Sequence, residues 1–336
     1  MKAAVLTALE RVEVQEQLEP VCGVGEVKIR IEAVGICGSD VHYYQHGHIG
    51  KRSVQFPHVQ GHEASGVVIE VDSSVTTIQV GDRVIIEPGI HCETCSYCRE
   101  GRYHLCEAMY FLSTPPNPGL LKQIVTVPSR VVFPIVDELN FEIATLAEPL
   151  SVGIHALRRA DLKPGQTVYI SGMGPVGLVT VLAARAFGAG EITVGDFQED
   201  RLTVAKKIGA MHALNVRHEK CVDESFDVVI ETSGSGVALN EAVRVTKKGG
   251  TIVAVGFPSK EVPLDIIQMI QKEIDLKTVY RYVHTFPLAL KILEQYPHEA
   301  SLLITSIFPM KEVQEAMQRA TTLSHNDIKI VVKPND

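Results

Sequence analysis

The chain has no surplus of positive charge: 32 Lys and Arg stand against 40 Asp and Glu, a formal charge of -8 at pH 7. That balance excludes the usual route to nucleic-acid affinity, which is phosphate neutralisation by a basic face, and makes small molecules the expected partners. Long apolar runs are missing too. The longest, GLVTVLAARAFGAG at residues 177–190, carries Arg185 and is too short to span a bilayer. At the amino end, MKAAVLTALERVEV is interrupted by Glu10 and Arg11 before an export-signal core can form, so it reads as a first strand. No membrane or export address, repeat or low-complexity tract is visible. Nor is there a dense, even set of cysteines: there are seven, with Cys22, Cys37 and Cys221 far apart, which suits a reducing, cytoplasmic setting better than a disulfide framework.

What remains is an ordinary globular composition, 45% apolar and 21% charged, in 336 residues, enough for about two domains. Before residue 150 the pattern is short alternating runs with Gly or Pro between them: 26–35, 64–74, 81–89 and 121–135. These predict a small antiparallel barrel or sandwich. From about residue 164 the runs TVYIS, EITVGD, FDVVIETSG and TIVAVGF are apolar and β-branched, mostly with helical segments between them. That alternation predicts an α/β fold, a parallel sheet covered by helices. Residues 217–225 are too few for an ordinary helical crossover, so a helix there is absent or reduced to a turn.

Four of the seven cysteines, Cys92, Cys95, Cys98 and Cys106, fall within fifteen positions. Two-residue gaps let successive sulfurs face one point, the arrangement tetrahedral zinc requires. A metal saturated by four thiolates has no open position, so it braces a loop and does no chemistry. Two disulfides or four incidental buried thiols are the other readings.

GMGPVG, residues 172–177, follows the strand TVYIS and opens a helical run. Gly172 permits the tight turn, Gly174 lets the backbone approach a pyrophosphate and Gly177 allows close helix packing, with Pro175 and Val176 between them as further candidate cofactor-binding residues. Asp196, nineteen residues beyond Gly177, can accept hydrogen bonds from both ribose hydroxyls and would repel a 2'-phosphate, which favours NAD over NADP. Arg201 is near enough to reach an adenosine phosphate, although the outer face of its helix is the expected place. A ligand-free strand-to-helix turn with Asp196 as a cap is the plainer reading.

Cys37 in GICGSDVHYY, His62 and Glu63 in QGHEASG, and Glu148 in LAEPLSVGIH offer one sulfur, one imidazole and carboxylate oxygen, a donor set for an open zinc site. Spacing alone leaves the ordinary readings ahead, with a small buried Cys37, Glu63 as a cap and Glu148 in a surface ion pair.

Taken in order, CGSDVHYY, GHE, the four-cysteine stretch, FLSTPP, EPLSVGIHA, GMGPVG and the RY at 281–282 resemble the zinc-dependent medium-chain dehydrogenases, specifically the sorbitol (L-iditol) and xylitol dehydrogenases, nearly end to end. The resemblance implies a GroES-like, β-rich catalytic domain from residues 1–150 and 283–336, with a Rossmann doubly wound domain at 151–282. It implies two Zn2+ per subunit, one catalytic at Cys37, His62 and Glu63 with Glu148 close by, and one structural at the four cysteines. NAD would accept hydride as a secondary alcohol of a polyol becomes a ketose. Ser39 would begin a proton relay, with His42 serving the relay or the cofactor ribose, and Tyr43, Phe111, Thr114, Arg281 and Tyr282 would line the substrate cleft. A dimer or tetramer is implied as well. Another secondary alcohol, such as L-threonine or an aldose, is the nearest alternative substrate, and a non-enzymatic relative the distant one. His46, His48, His58, His91 and His104 are expected at the surface or in loops.

Overall fold

A computed structural model describes residues 1–322 and 327–336. It forms two compact units, Met1–Glu148 with Ile304–Asp336, and Pro149–Leu303.

The first unit is built on strands β1 (Lys2–Ala8), β2 (Arg11–Glu16), β3 (Glu26–Gly35), β4 (Glu63–Val71), β5 (Arg83–Ile86), β6 (Ile124–Pro128) and β7 (Val132–Pro134), with helix α1 (Gly38–His46) after β3. The main sheet runs β7-β5-β4-β3, then Lys329–Lys333 and Ile304–Pro309; β6 pairs with the first half of β3. Alternation in EVKIRIEAVG decides which way β3 faces. Val27, Ile29, Ile31 and Ala33 are fully buried, while Lys28 and Arg30 turn outward to Glu70 and Glu32. Each buried Val or Ile contributes about 1.5–3 kcal/mol, so a one-residue slip that turned this row to solvent would be prohibitive.

Register then assembles a site. Gly35, the last residue of β3, lies opposite Glu63, the first of β4, and on its other side opposite Val331. Residues far apart in sequence, Cys37, His62, Glu63 and Lys329, are thereby brought to one end of the sheet. A Cβ at Gly35 would stand 2.1 Å from the Glu63 carboxylate, so any larger residue would displace that side chain.

In the second unit, α2 (Ala147–Ala160) begins at the boundary and is followed by β8 (Thr167–Ser171), α3 (Pro175–Ala186), β9 (Glu191–Asp196), α4 (Glu199–Lys207), β10 (His212–Asn215), β11 (Phe226–Glu231), α5 (Gly236–Val245), β12 (Thr246–Ala254), α6 (Ile266–Lys272), β13 (Asp275–Thr278) and α7 (Phe286–Gln295). All six strands are parallel, in the order β10-β9-β8-β11-β12-β13. Strand order reverses between β8 and β11, and the carboxyl ends at such a switch point form a ligand crevice.

The crossover at 217–225 contains turns and no helix. Cys221 is buried there against Tyr169 and Phe226, covering sheet surface that a helix would otherwise cover. Buried Lys272 donates to the carbonyls of Val243 (2.9 Å), Arg244 (2.7 Å) and Thr246 (3.0 Å), satisfying the end of α5.

One boundary differs from expectation. Residues 283–303, assigned from the sequence to the first domain, lie in the second unit. There α7 packs on α3, and Arg185 of α3 reaches Glu299 at 3.0 Å and lies 4.4 Å over the Tyr296 ring.

Candidate active site and metal centres

Ligand atoms of Cys37, His62 and Glu63 all lie within 4.8 Å of one another. Cys37 precedes α1, and its amide donates to Asp40 Oδ2 at 3.1 Å. Asp40 is buried; its other oxygen accepts from the Gly61 amide (3.2 Å) and the Ser113 hydroxyl (3.0 Å), while Oδ2 lies 3.7 Å from His62 Nδ1. That carboxylate stands on the Nδ1 side of the imidazole, close enough to act on its charge. Burial opposes charge on His62, yet Asp40 and Cys37 outweigh it and raise its pKa well above the ordinary value. Burial likewise opposes the Asp40 carboxylate, but His62 and the amides of Cys37 and Gly61 lower its pKa. The pocket favours positive charge, as a divalent cation requires.

Glu63 is fully buried, and Lys329 Nζ donates to both its oxygens at 2.8 and 2.7 Å and to the Ile36 carbonyl at 3.1 Å. Burial alone would lower the Lys329 pKa; Glu63 and Cys37 raise it instead. Glu148 is buried but stands outside the trio of converging donors. Its charge is felt at Lys329 and at Glu87. Glu87 is pushed up to about 7 by burial and by Glu148, against the lowering effect of the Tyr103 hydroxyl, which donates to it at 3.0 Å.

The four-cysteine stretch folds so that all four sulfurs lie within 4.8 Å. Cys92 to Cys98 is 3.9 Å and Cys95 to Cys98 is 3.5 Å. Tetrahedral zinc with 2.3 Å bonds requires about 3.8 Å between sulfurs, whereas a disulfide requires about 2.0 Å. All seven cysteines are free thiols. The Thr94 hydroxyl and the amides of Cys95 and Thr94 lower Cys92 to about 5, while burial and neighbouring sulfurs push Cys98 up to about 12. Four thiols without a cation cannot all ionise, and zinc would remove that conflict.

The glycine loop takes the anticipated form. Gly172 has φ +88, which favours glycine. A Cβ at Gly177 would meet the Gly172 carbonyl at 1.9 Å, whereas Gly174 faces open space before the Pro175 start of α3. Asp196 ends β9 and accepts from the Met173 amide (2.6 Å) and the Gln198 amide (2.9 Å). Two of its roughly four lone-pair positions remain for other donors.

Residues 23–137 match the family described as the alcohol dehydrogenase GroES-like domain, and 175–295 the family described as zinc-binding dehydrogenase. The sorbitol dehydrogenase of Bacillus subtilis is 42% identical over 100% of this chain and 98% of its own. The chain belongs to the zinc-dependent medium-chain dehydrogenases. L-idonate 5-dehydrogenase of Vitis vinifera is 38% identical over 98% of this chain and 93% of its own. Among solved structures, 2R,3R-butanediol dehydrogenase from Bacillus subtilis superposes with a TM-score of 0.90 at 30% identity, covering 99% of each chain. Within the family, then, polyol and other alcohol dehydrogenases share this architecture.

In this medium-chain dehydrogenase, the other expected site residues divide between the units. Ser39 and His42 lie on α1, partly exposed, and Tyr43 is buried beside them. The Phe111 ring is 5.9 Å from that of His62. Thr114 follows Ser113, whose hydroxyl bond to Asp40 ties the FLSTPP loop to the metal-binding trio. Arg281 and Tyr282 belong to the second unit, where Tyr282 packs 5.7 Å from Phe286 and is buried.

Two placements differ from expectation. Arg201 does not point outward: its Nε is buried without a hydrogen-bond partner, burial lowers its pKa, and Asp196 opposes that shift. His58 is no surface residue; it is buried with Nε2 3.3 Å from the Ser113 carbonyl. Asp40 and Lys329 join the site beyond the residues that the motifs single out. The GSD triplet signals the first, as a polar residue opening a helix, but nothing local signals the second.

Proposed function

We propose that this dehydrogenase oxidises a secondary hydroxyl of a polyol to the ketose with NAD as acceptor. The convergence of Cys37, His62 and Glu63 at a pocket favouring positive charge carries the reading. Identity to sorbitol dehydrogenases supports the substrate class, and the free acceptor positions of Asp196, beside the Met173 amide, support NAD over NADP.

Cys37, His62 and Glu63 would hold a catalytic zinc and Cys92, Cys95, Cys98 and Cys106 a structural one. Zinc at the first set supplies Lewis acidity, which lowers the pKa of a bound hydroxyl toward neutrality, and NAD supplies the hydride acceptor. Lys329 offsets the Glu63 charge, so a centre of zinc, Cys37, Glu63 and Lys329 stays one charge positive. Direct ligation by Glu148 as well would cancel that charge; one glutamate at a time is therefore the proposed arrangement. Ser39 both accepts and donates a proton. His42, three residues along α1, is next on the same helix face. Burial and the neighbouring His46 and His48 lower the His42 pKa, which keeps its ring neutral and able to accept the relayed proton. Phe111, Thr114, Tyr43, Arg281 and Tyr282 are assigned to the polyol, the polar members as hydrogen-bond partners for its several hydroxyls.

A homo-oligomer, dimer or tetramer, is part of this reading. The β13 edge strand exposes Leu276 (37%) and α6 exposes Ile267 (71%) and Ile270 (70%), apolar side chains available for association.

The deciding experiment is NADH formation from NAD with sorbitol, xylitol, L-iditol, galactitol, threonine and ethanol, before and after chelation and zinc restoration. Zinc-dependent turnover of polyols is expected. Turnover of threonine alone, or silence from folded, zinc-loaded protein on every polyol, would refute the assignment.

A further inference from the structure

Helix α1 carries a second cluster that neither the zinc trio nor the four cysteines uses. His42 and His46 are one helical turn apart, and their rings meet edge to face with centroids 4.6 Å apart. At Gly47 the helix ends in a left-handed turn, φ 71, which brings the chain back so that the ring of His48 stands 6.3 Å from that of His42. His46 and His48 are exposed and His42 is partly exposed. We propose that His42, His46 and His48 form a surface site for a borderline transition-metal cation, Zn2+, Ni2+ or Cu2+, separate from the two zinc sites, and that filling it inhibits the enzyme.

The helical pair provides the core of such a site. Imidazoles at i and i+4 share one face, and two nitrogens at 2.0–2.1 Å from one cation stand about 3.3 Å apart. Rings with centroids 4.6 Å apart can reach that with small torsional changes. His48 must swing closer, a modest demand on an exposed side chain in the two-residue strand His48–Ile49. Imidazole donors select Zn, Cu and Ni over Mg or Ca. Burial of His42 and its proximity to two other imidazoles favour the neutral form that a metal ligand needs.

Inhibition rests on the proposed relay. A cation on His42 occupies the lone pair that would receive a proton passed along from Ser39, so each bound ion would remove one relay. His46 and His48 carry no proton in that relay and act on it only by lowering the His42 pKa, so they are the positions to change, with each variant's own metal-free turnover as the reference.

Ni2+ is the probe, titrated calorimetrically into zinc-loaded holoenzyme and into the double variant His46→Gln, His48→Gln. The wild-type chain should take up one further Ni2+, and the variant should bind it about tenfold or more weakly. Equal affinity, or no additional uptake by the wild type, overturns the site. In parallel, Ni2+ should suppress NADH formation by the wild type, while the variant, measured against its own Ni2+-free turnover, should need about tenfold more. Histidine-dependent binding without inhibition overturns the link to the relay. Calorimetry requires no turnover, so a failed substrate assignment would still leave the binding test decisive.

Discussion

Replacing Lys329 by Met should destabilise the zinc-stripped protein and tighten its grip on catalytic zinc. The ammonium lies 2.8 and 2.7 Å from the two Glu63 oxygens, with side-chain exposures of 1% and 0%. At an effective dielectric near 20, opposite charges at that distance attract by about 6 kcal/mol. Several kcal/mol of desolvation per ion consumes most of that, so the intact pair is worth little net. Removing one partner is different, because it strands the other charge: a loss of about 3–5 kcal/mol is expected. Zinc would relieve the stranded Glu63, and so bind more tightly than in the wild type, where Lys329 competes for both oxygens. Urea unfolding of wild type and Lys329→Met, each chelated and zinc-loaded, measures both terms. A variant within about 1 kcal/mol of wild type when chelated, or one with weaker zinc affinity, would refute the account. The double variant with Glu63→Gln should recover much of the chelated stability while losing zinc, which separates a stranded charge from a general packing defect.

Cys98→Ser should remove one zinc per chain and lower the thermal midpoint by several degrees, since Cys98 Sγ contacts both Cys92 and Cys95. Metal analysis with calorimetry checks this, and turnover per folded molecule should stay near wild type; its abolition would place chemistry in the lobe. Asp196→Asn keeps one acceptor for the Met173 or Gln198 amide and removes the charge that repels a 2'-phosphate. The ratio of kcat/KM for NADP to that for NAD should rise about tenfold or more, and an unchanged ratio would place cofactor selection elsewhere. Burial raises Glu87 from 4.5 to about 7. Between those values the folded chain binds more protons than the unfolded one, so this residue makes stability fall as pH rises through the window, by about 3 kcal/mol in all. In zinc-stripped protein, Glu87→Gln should flatten that slope between about pH 4.5 and 7, and a parallel pH profile would show that Glu87 is not its source.

Much of the scaffold could be read from local pattern. β3, β8 and β9 begin and end at the residues where apolar alternation or β-branched runs begin and end, because each buries a row or both faces. The short, polar strands HALN and DLKT, at the two edges of the parallel sheet, left no such run. The fingerprint glycines were legible because steric conflict at Gly172 and Gly177 is a property of a turn a few residues long. Lys329 was not, since its role depends on a partner 266 residues away. On local pattern it is one more lysine at one end of a short apolar strand, where the default is a solvated head.

What makes it internal is sheet register, and register is also what makes the metal-binding trio. Gly35 is flanked by Glu63 and by Val331, and β3 reaches that alignment only after two irregularities in its pairing with β4, between Lys28 and Ile29 and between Ile31 and Ala33. A slip of one residue at either place would turn Glu63 to the opposite face. It would also move the neighbouring His62 away from Asp40. The site therefore tolerates changes in sequence around the bulges better than a change in the number of residues between them. Deleting one residue from 30–32 should cost zinc binding at this centre while leaving the four-cysteine lobe able to load, and its ligands, all drawn from residues 92–106, explain why.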